Sequence, residues 1–223
     1  MNKKPLFVFI ILMFVQSACS FGTIVPNTVV GSGKVISEAR NVSGFSSVEL
    51  QGSANVDVTL GNSESVIVTA DDNILPLIET NVQNGQLIIR DKANTNINPS
   101  SPVRVNVTIQ ALKGITLSGS GKINVSQMTG DSLMINLSGS GSITVTGAVT
   151  AVNISLPGSG NISCGGLLTK SAKVKLDGSG DIEIYASQSL DAGILGSGSI
   201  RYSGNPAQVS KSIVGSGNIT PQN

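Results

Sequence analysis

A chain of 223 residues with formal charge +1, 12% charged and 3% aromatic residues lacks the basic footprint that a phosphate backbone requires, so nucleic acid is excluded as a partner. It contains no histidine, which removes the commonest general base, the Ser-His-Asp arrangement and most zinc sites. Tryptophan is absent too, so any glycan binding must rest on polar ladders of Asn, Ser and Thr.

The chain opens with Lys3 and Lys4 and then an apolar run, residues 5–15. A basic start followed by 11 apolar residues reads as a secretory signal, too short to span a bilayer. It ends in Gln16-Ser17-Ala18-Cys19-Ser20, which resembles a bacterial lipoprotein signal, where small residues precede a cysteine that is lipidated and becomes the mature N-terminus. Ser17, Ala18 and Cys19 fit that pattern. Gln16 departs from the aliphatic residue usual three places before the cysteine, and Val15 stands one place early. The resemblance implies residues 1–18 as signal peptide, lipid on Cys19, residues 19–30 as a tether, and a membrane as the first partner. Removing residues 1–18 takes away two lysines and no acid, so the formal charge moves from +1 to −1.

Residues 31–110 form a less regular β section. Gly31-Ser32-Gly33 stands between Val29 and Val35, and Gly52-Ser53-Ala54 repeats it 21 residues on, between Leu50 and Val56-x-Val58. Strand patterns follow at 65–69, 86–90 and 103–109. Between them, Ile74-Leu75-Pro76-Leu77-Ile78 reads as either a short helical turn or an irregular excursion. Asn84-Gly85 is a hairpin-turn signal, and residues 92–102, rich in Asn, Ser and Pro, read as an exposed loop.

From residue 111 to 223 the pattern becomes periodic. Gly-Ser-Gly recurs with first glycines at 119, 139, 158, 178, 196 and 215, in steps of 20, 19, 20, 18 and 19 residues. A period this short implies one solenoid coil per repeat. Apolar and polar residues alternate on both sides of each tripeptide, as in Ile135-Asn136-Leu137 and Ile143-Thr144-Val145, which is the pattern of half-buried strands. Two residues beyond the second glycine stand Ile123, Ile143, Ile162, Ile182, Ile200 and Ile219. Two residues before the first stand Leu117, Leu137, Leu156, Leu176, Ile194 and Ile213. Stacked at the ~4.8 Å strand spacing, each column becomes an internal aliphatic ladder. The expected fold is all-β, a parallel β-helix or β-solenoid. Gly119, Gly121, Gly139, Gly141, Gly158, Gly160, Gly178, Gly180, Gly196, Gly198, Gly215 and Gly217 are its structural corners, where positive φ is available without a Cβ clash. The serines between them are expected to bond nearby backbone or the serine of the next coil.

The succession of residues 48–58, 65–72, 85–89 and 115–121 resembles the head GIN domain, a bacterial family of auto-transporter adhesin heads catalogued as a domain of unknown function. The resemblance covers residues 31–220. It implies one β-helical, exported, often lipid-anchored envelope domain and carries no catalytic residues.

Little in the chain points to a reaction. Gly-Ser-Gly-Lys at Lys34 and Lys122 is no phosphate loop, because Val35 and Ile123 follow where a Ser/Thr and a helix are needed. A calcium-binding β-roll needs an aspartate in every turn. The residue after each tripeptide runs Lys122, Ser142, Asn161, Asp181, Ser199, Asn218, which leaves at most an isolated ion at Asp177 and Asp181. Cys164 falls in an inward column otherwise filled by Val and Ile, the place of an inert hydrophobe. Lys122 and Asp181 share a column but stand three coils, ~14 Å, apart, and adjacent Asp71 and Asp72 point to opposite faces of a strand. No catalytic, metal or cofactor residue is assigned. The expectation is a non-catalytic binding or scaffold protein of the bacterial cell envelope, an adhesin displaying a polar ladder. Its anchor implies an outer-membrane lipoprotein, facing the periplasm or the surface, and its ligand is a protein or glycan of unknown identity. The alternative is a β-helical enzyme acting on polysaccharide. An edge strand at either end of the stack would expose unpaired backbone and favour a homo-oligomer.

Overall fold

The computed structural model describes residues 28–222. It is a β-solenoid of about five turns with parallel stacked coils. The irregular section holds β1 (Thr28–Val30), β2 (Val35–Arg40), β3 (Ser47–Gln51), β4 (Asn55–Leu60) and β5 (Ser65–Asp71). A 3-10 turn (Leu75–Leu77) then leads to β6 (Ile78–Gln83), β7 (Gln86–Asp91), β8 (Asn96–Asn98) and β9 (Arg104–Ile109). The regular coils comprise β10 (Gly114–Leu117), β11 (Lys122–Leu137), β12 (Ser142–Leu156), β13 (Asn161–Cys164) and β14 (Leu167–Leu176). They continue through β15 (Asp181–Tyr185), β16 (Ser189–Gly196), β17 (Ser199–Ser203), β18 (Gln208–Gly215) and β19 (Asn218–Pro221).

The aliphatic columns read from the sequence are the core. Ile123, Ile143, Ile162, Ile182, Ile200 and Ile219 are all buried and stand in consecutive registers. On a second wall Leu117, Leu137, Leu156, Leu176 and Ile194 do the same, extended downward by Leu50, whereas Ile213, expected as the last internal rung, is exposed because it lies on the end strand of the stack. Each such side chain removed from water is worth roughly 1.5–3 kcal/mol, and a single coil has nothing to bury it against, so the stack is the stable unit.

The polar stretch from Ser126 to Asp131 is strand. Lys122–Leu137 runs unbroken through the corner, with the register slipping between Val125 and Met128. Two residues there, Ser126 and Gln127, face one, Thr146, in the next coil, and Gln127 takes φ 55°. That bulge absorbs the extra residue of a 20-residue coil beside a 19-residue one.

The irregular section is built out of chain order. Strands β3 and β4 form a coil that pairs on one side with β10 and β11 and on the other with β7 and β9, all parallel. Segment 47–60 therefore lies between segments that follow it by tens of residues. Below β7 and β9 the direction reverses: β6 pairs antiparallel with β7 through the Asn84-Gly85 turn (φ 51° and 75°), and β5 pairs antiparallel with β9. The stretch around Leu75–Leu77 is the helical turn of the two readings. It turns the corner between β5 and β6, which together close the barrel with a reversed coil. Residues 92–102 hold the short strand β8, which pairs with β1, so part of that stretch is ladder rather than loop.

Candidate functional site

The corner glycines are required by the neighbouring coil. Gly119, Gly121, Gly139, Gly141, Gly158, Gly160, Gly178, Gly180, Gly198 and Gly217 have no positive φ; only Gly196 (142°) and Gly215 (122°) do. A Cβ on Gly119 would overlap the carbonyl of Gly52, and one on Gly139 the carbonyl of Gly119. A Cβ on Gly121, Gly141 or Gly160 would lie 2.8 Å from Cδ2 of Leu50, Leu117 or Leu137 and overlap the backbone below. The expectation of left-handed corners is thus corrected. These glycines stack on one another so that the coil backbones touch.

The serines between them behave otherwise than expected. Ser120, Ser140, Ser159, Ser179, Ser197 and Ser216 are exposed, and none of their hydroxyls bonds to another described residue. They form a wet ladder along one edge of the stack.

The remaining sequence candidates are scattered. Cys19 lies outside the described residues. Lys122 and Asp181 share a column with Ser142 and Asn161 between them. Asp177 accepts from Lys175 at 2.6 Å and Asp181 faces Arg201 at 3.9 Å, so each has a basic partner rather than the other carboxylate. Among the described residues no group of three Asp, Glu, Cys or His is placed to hold a metal ion. Cys164 is fully buried, and burial pushes its thiol up to about 12. With Cys19→Ala as background, a maleimide is expected to leave the folded chain unlabelled and to add one label after denaturation. Labelling at the denatured rate under native conditions would show that the barrel opens.

Asp71 and Asp72 form a clamp that sequence reading passed over. Asp71 is buried at the end of β5, where its carboxylate accepts from the backbone N–H of Gly33 (2.8 Å), the N–H of Ser100 (2.9 Å) and the Ser100 hydroxyl. The Ser32 hydroxyl donates to Asp72 at 2.6 Å, and Lys34 Nζ stands 3.4 Å from it. Asn73 accepts from Ser32 N–H at 2.9 Å. Gly31-Ser32-Gly33-Lys34 therefore wraps a pair of carboxylates and is not a coil corner. The Ser100 hydroxyl chiefly holds Asp71 below the usual carboxylate range against the opposing effect of burial, and the Ser32 hydroxyl does so for Asp72.

A shallow trough of about 560 Å³ runs across β12, β14, β16 and β18 of the regular coils. Two outward columns line it, Ala151-Ser171-Ser189-Gln208 and Asn153-Lys173-Asp191-Ser210, one residue of each from successive coils. Ser189 and Ser171 bond at 2.9 Å, which ties two rungs together. Beside it a second hollow, about 410 Å³, is bounded by exposed Met134, by Asn136 and Ser155, and by Lys173 and Lys175. Lys173 borders both hollows and, among the described residues, has no carboxylate within salt-bridge range. On another wall, a hollow of about 280 Å³ holds Asp181, Glu183 and Arg201, with the guanidinium between the two carboxylates at 3.9 and 3.6 Å. Both surfaces follow from register, since a residue's wall is fixed by its offset from the nearest Gly-Ser-Gly. Reading the outward columns as well as the inward ones would have found them.

Residues 44–206 match the family described as "Putative auto-transporter adhesin, head GIN domain". No curated protein matches the chain. Among solved structures, a "putative adhesin" from Bacteroides fragilis superposes with TM-score 0.73 at 24% identity, covering 87% of this chain and 100% of that one. A "Putative lipid binding protein" from Parabacteroides distasonis gives TM-score 0.56 at 25% identity, over 88% and 100%. A "putative adhesin" from Parabacteroides merdae gives 0.55 at 20% identity, over 88% and 99%.

Proposed function

The chain belongs to the head GIN domain family, described as "Putative auto-transporter adhesin", and from that premise we propose that it is a non-catalytic binding and scaffold protein of the bacterial cell envelope. The observation that carries this reading is the trough. It repeats over four coils, and its two outward columns present Asn153, Ser171, Ser189, Gln208 and Ser210 beside Lys173 and Asp191, over an apolar floor, at the ~4.8 Å coil spacing on a stacked wall. Such a wall suits an extended ligand, a glycan or a peptide strand, held by many weak polar contacts with Lys173 as its cationic anchor. Lipidation at Cys19 would tether the solenoid to the outer membrane through residues 19–30.

The test has two parts. Bacteria producing the chain, beside the Cys19→Ala variant, are treated with protease while intact and then fractionated. Loss of the wild-type band with release of the variant as soluble protein supports a lipid-anchored surface adhesin; protection in intact cells makes surface adhesion untenable. The chain is then probed against immobilised glycans and peptides with Asn153→Arg, an exposed position where a long side chain fills the trough. Binding is expected to fall at least tenfold, about 1.4 kcal/mol. Unchanged binding would move the ligand off this wall.

The second reading, an enzyme on polysaccharide, has one observation in its favour, the Asp181, Glu183 and Arg201 cluster. Both carboxylates there are engaged by the same exposed guanidinium, and the hollow is half the volume of the trough. Release of reducing ends from acidic polysaccharide by the wild type, abolished in Glu183→Gln, would favour it.

A further inference from the structure

The wall that carries Leu117 and Leu137 has a second inward column, two residues earlier on each strand, that runs through consecutive registers as Leu87, Val48, Ile115, Ile135, Ile154, Val174 and Ala192, every one of them buried. The next residue in that column is Lys211, on β18. Instead of pointing along the core, its ammonium crosses the mouth of the barrel to the opposite wall. It donates to the carbonyl of Ile219 at 3.1 Å and stands 4.7 Å from the centroid of the Tyr202 ring. Tyr202 belongs to the inward column of that wall, after Cys164 and Ile184.

The strand bearing Lys211 is the outermost described strand of its wall. Every residue of Gln208–Gly215 is exposed, and on its outer side it has no partner among the described residues. Gln208 N–H bonds Gln188 O and Ser216 N–H bonds Gly196 O, both at 3.0 Å on the inner side. Alternation along the strand then turns the backbone of Val209, Lys211 and Ile213 outward, unpaired. Val209 and Ile213 are also exposed apolar residues, at 42% and 44%. An edge of this kind attracts a second β-strand.

We propose that Lys211 is an end-stop, a single charge that keeps this edge from joining the same edge of a second copy. For two barrels to meet end to end about a two-fold axis, interior must face interior. Inward residues of one strand must then oppose inward residues of the other, because a one-residue slip exchanges faces. Centring the axis on residue 211 sets Val209 against Ile213 of the second copy, a good apolar match, and sets Lys211 against its own counterpart. Centring it on 212 sets Lys211 against Ile213 of the second copy. Either register seals two ammonium groups into an otherwise aliphatic joint that offers them no carboxylate among the described residues. An inward-pointing charge on an edge strand is a general means of blocking edge association. With an aliphatic residue at 211, the first register joins Val209, residue 211 and Ile213 to their symmetry mates as one hydrophobic seam.

The experiment uses the full chain carrying Cys19→Ala, so that no lipid causes association, and adds Lys211→Val, Lys211→Met, Ile213→Lys and the double variant Lys211→Val/Ile213→Lys. Mass is read by sedimentation and by light scattering after gel filtration across a concentration series. The parent is expected at the mass of one copy, Lys211→Val and Lys211→Met at twice that mass, and the double variant, with its charge moved two residues along the strand, back at one copy. If Lys211→Val does not fold, Lys211→Met, which keeps the unbranched stem, decides. Two results would overturn the proposal: Lys211→Val and Lys211→Met at the parent's mass with the parent's β spectrum, or a parent that is already a dimer and separates on Ile213→Lys.

Discussion

Gly141→Ala is expected to lower the melting temperature by about 10 °C, whereas Ser140→Ala, one residue away, should leave it nearly unchanged. The new methyl would lie 2.8 Å from Leu117 Cδ2 and overlap the carbonyl of Gly121. Neither neighbour can retreat, since Gly121 is itself stacked on Ala54 and Leu50, and Gly160 is packed on Gly141 from above. Forcing an extra carbon into a closed site costs ~3 kcal/mol, and at this size each kcal/mol shifts the midpoint by roughly 2–4 °C. The Ser140 hydroxyl is exposed and unbonded among the described residues, so its loss should fall within about 0.5 kcal/mol. Thermal melts of the two variants settle the matter. Equal, small shifts would mean that the coils can spread apart at the corner, and the glycine column would then have no steric role.

The second large effect is expected at Asp71. Replacing it with alanine removes the buried acceptor shared by the N–H groups of Gly33 and Ser100 and the Ser100 hydroxyl, and with it the three bonds that hold these two segments to the end of β5. Residues 28–40 and 96–102 should become sensitive to protease at a temperature where β11–β17 still resist it. Acid should reproduce the loss in the wild type. Asp71 and Asp72 both have their folded-state pKa depressed. The stability they contribute is therefore present above the ordinary carboxylate value and is lost as pH falls below about 4. Asp91 works in the opposite sense, because burial raises its pKa and its protonation favours the folded state as pH falls. Proteolysis followed from pH 6 down to 3 in wild type, Asp71→Ala and Asp91→Asn separates the two. An acid response unchanged in Asp71→Ala would place the sensitivity elsewhere.

The regular coils were legible because each inward column repeats at a near-constant offset from a tripeptide that is hard to miss. Ile123 to Ile219 could be aligned by eye, and the register confirms them. What glycine was doing at the corners was not legible. Its two properties, freedom at positive φ and the absence of a Cβ, predict the same letter, and only the distance to the next coil tells them apart. Asp71 was hidden for a related reason. Its partners Gly33 and Ser100 are 38 and 29 residues away, beyond any local pattern. Lys211 was visible in principle. It stands four residues before Gly215, where Ile115, Ile135, Ile154, Val174 and Ala192 stand before their own glycines, and a column read to its end shows the break.

The interleaving of segment 47–60 changes what kind of repeat protein this is. In a simple array each unit touches the units next to it in sequence, so units can be removed from either end. Here the contact between Leu50 and Leu117 spans 67 residues, against about 19 for each coil that follows. Closing the longer loop costs only about 1 kcal/mol more, since the entropy grows with the logarithm of length. Its effect is on order of assembly rather than on final stability. Strands β3 and β4 are complete on both faces only after β7, β9, β10 and the start of β11 have arrived. A chain leaving the ribosome or crossing a membrane N-terminus first would hold this coil unfinished until roughly residue 126, and from there each turn has a finished template to grow on. Trimming coils from the C-terminal end shortens a stack; trimming residues 47–60 removes its middle.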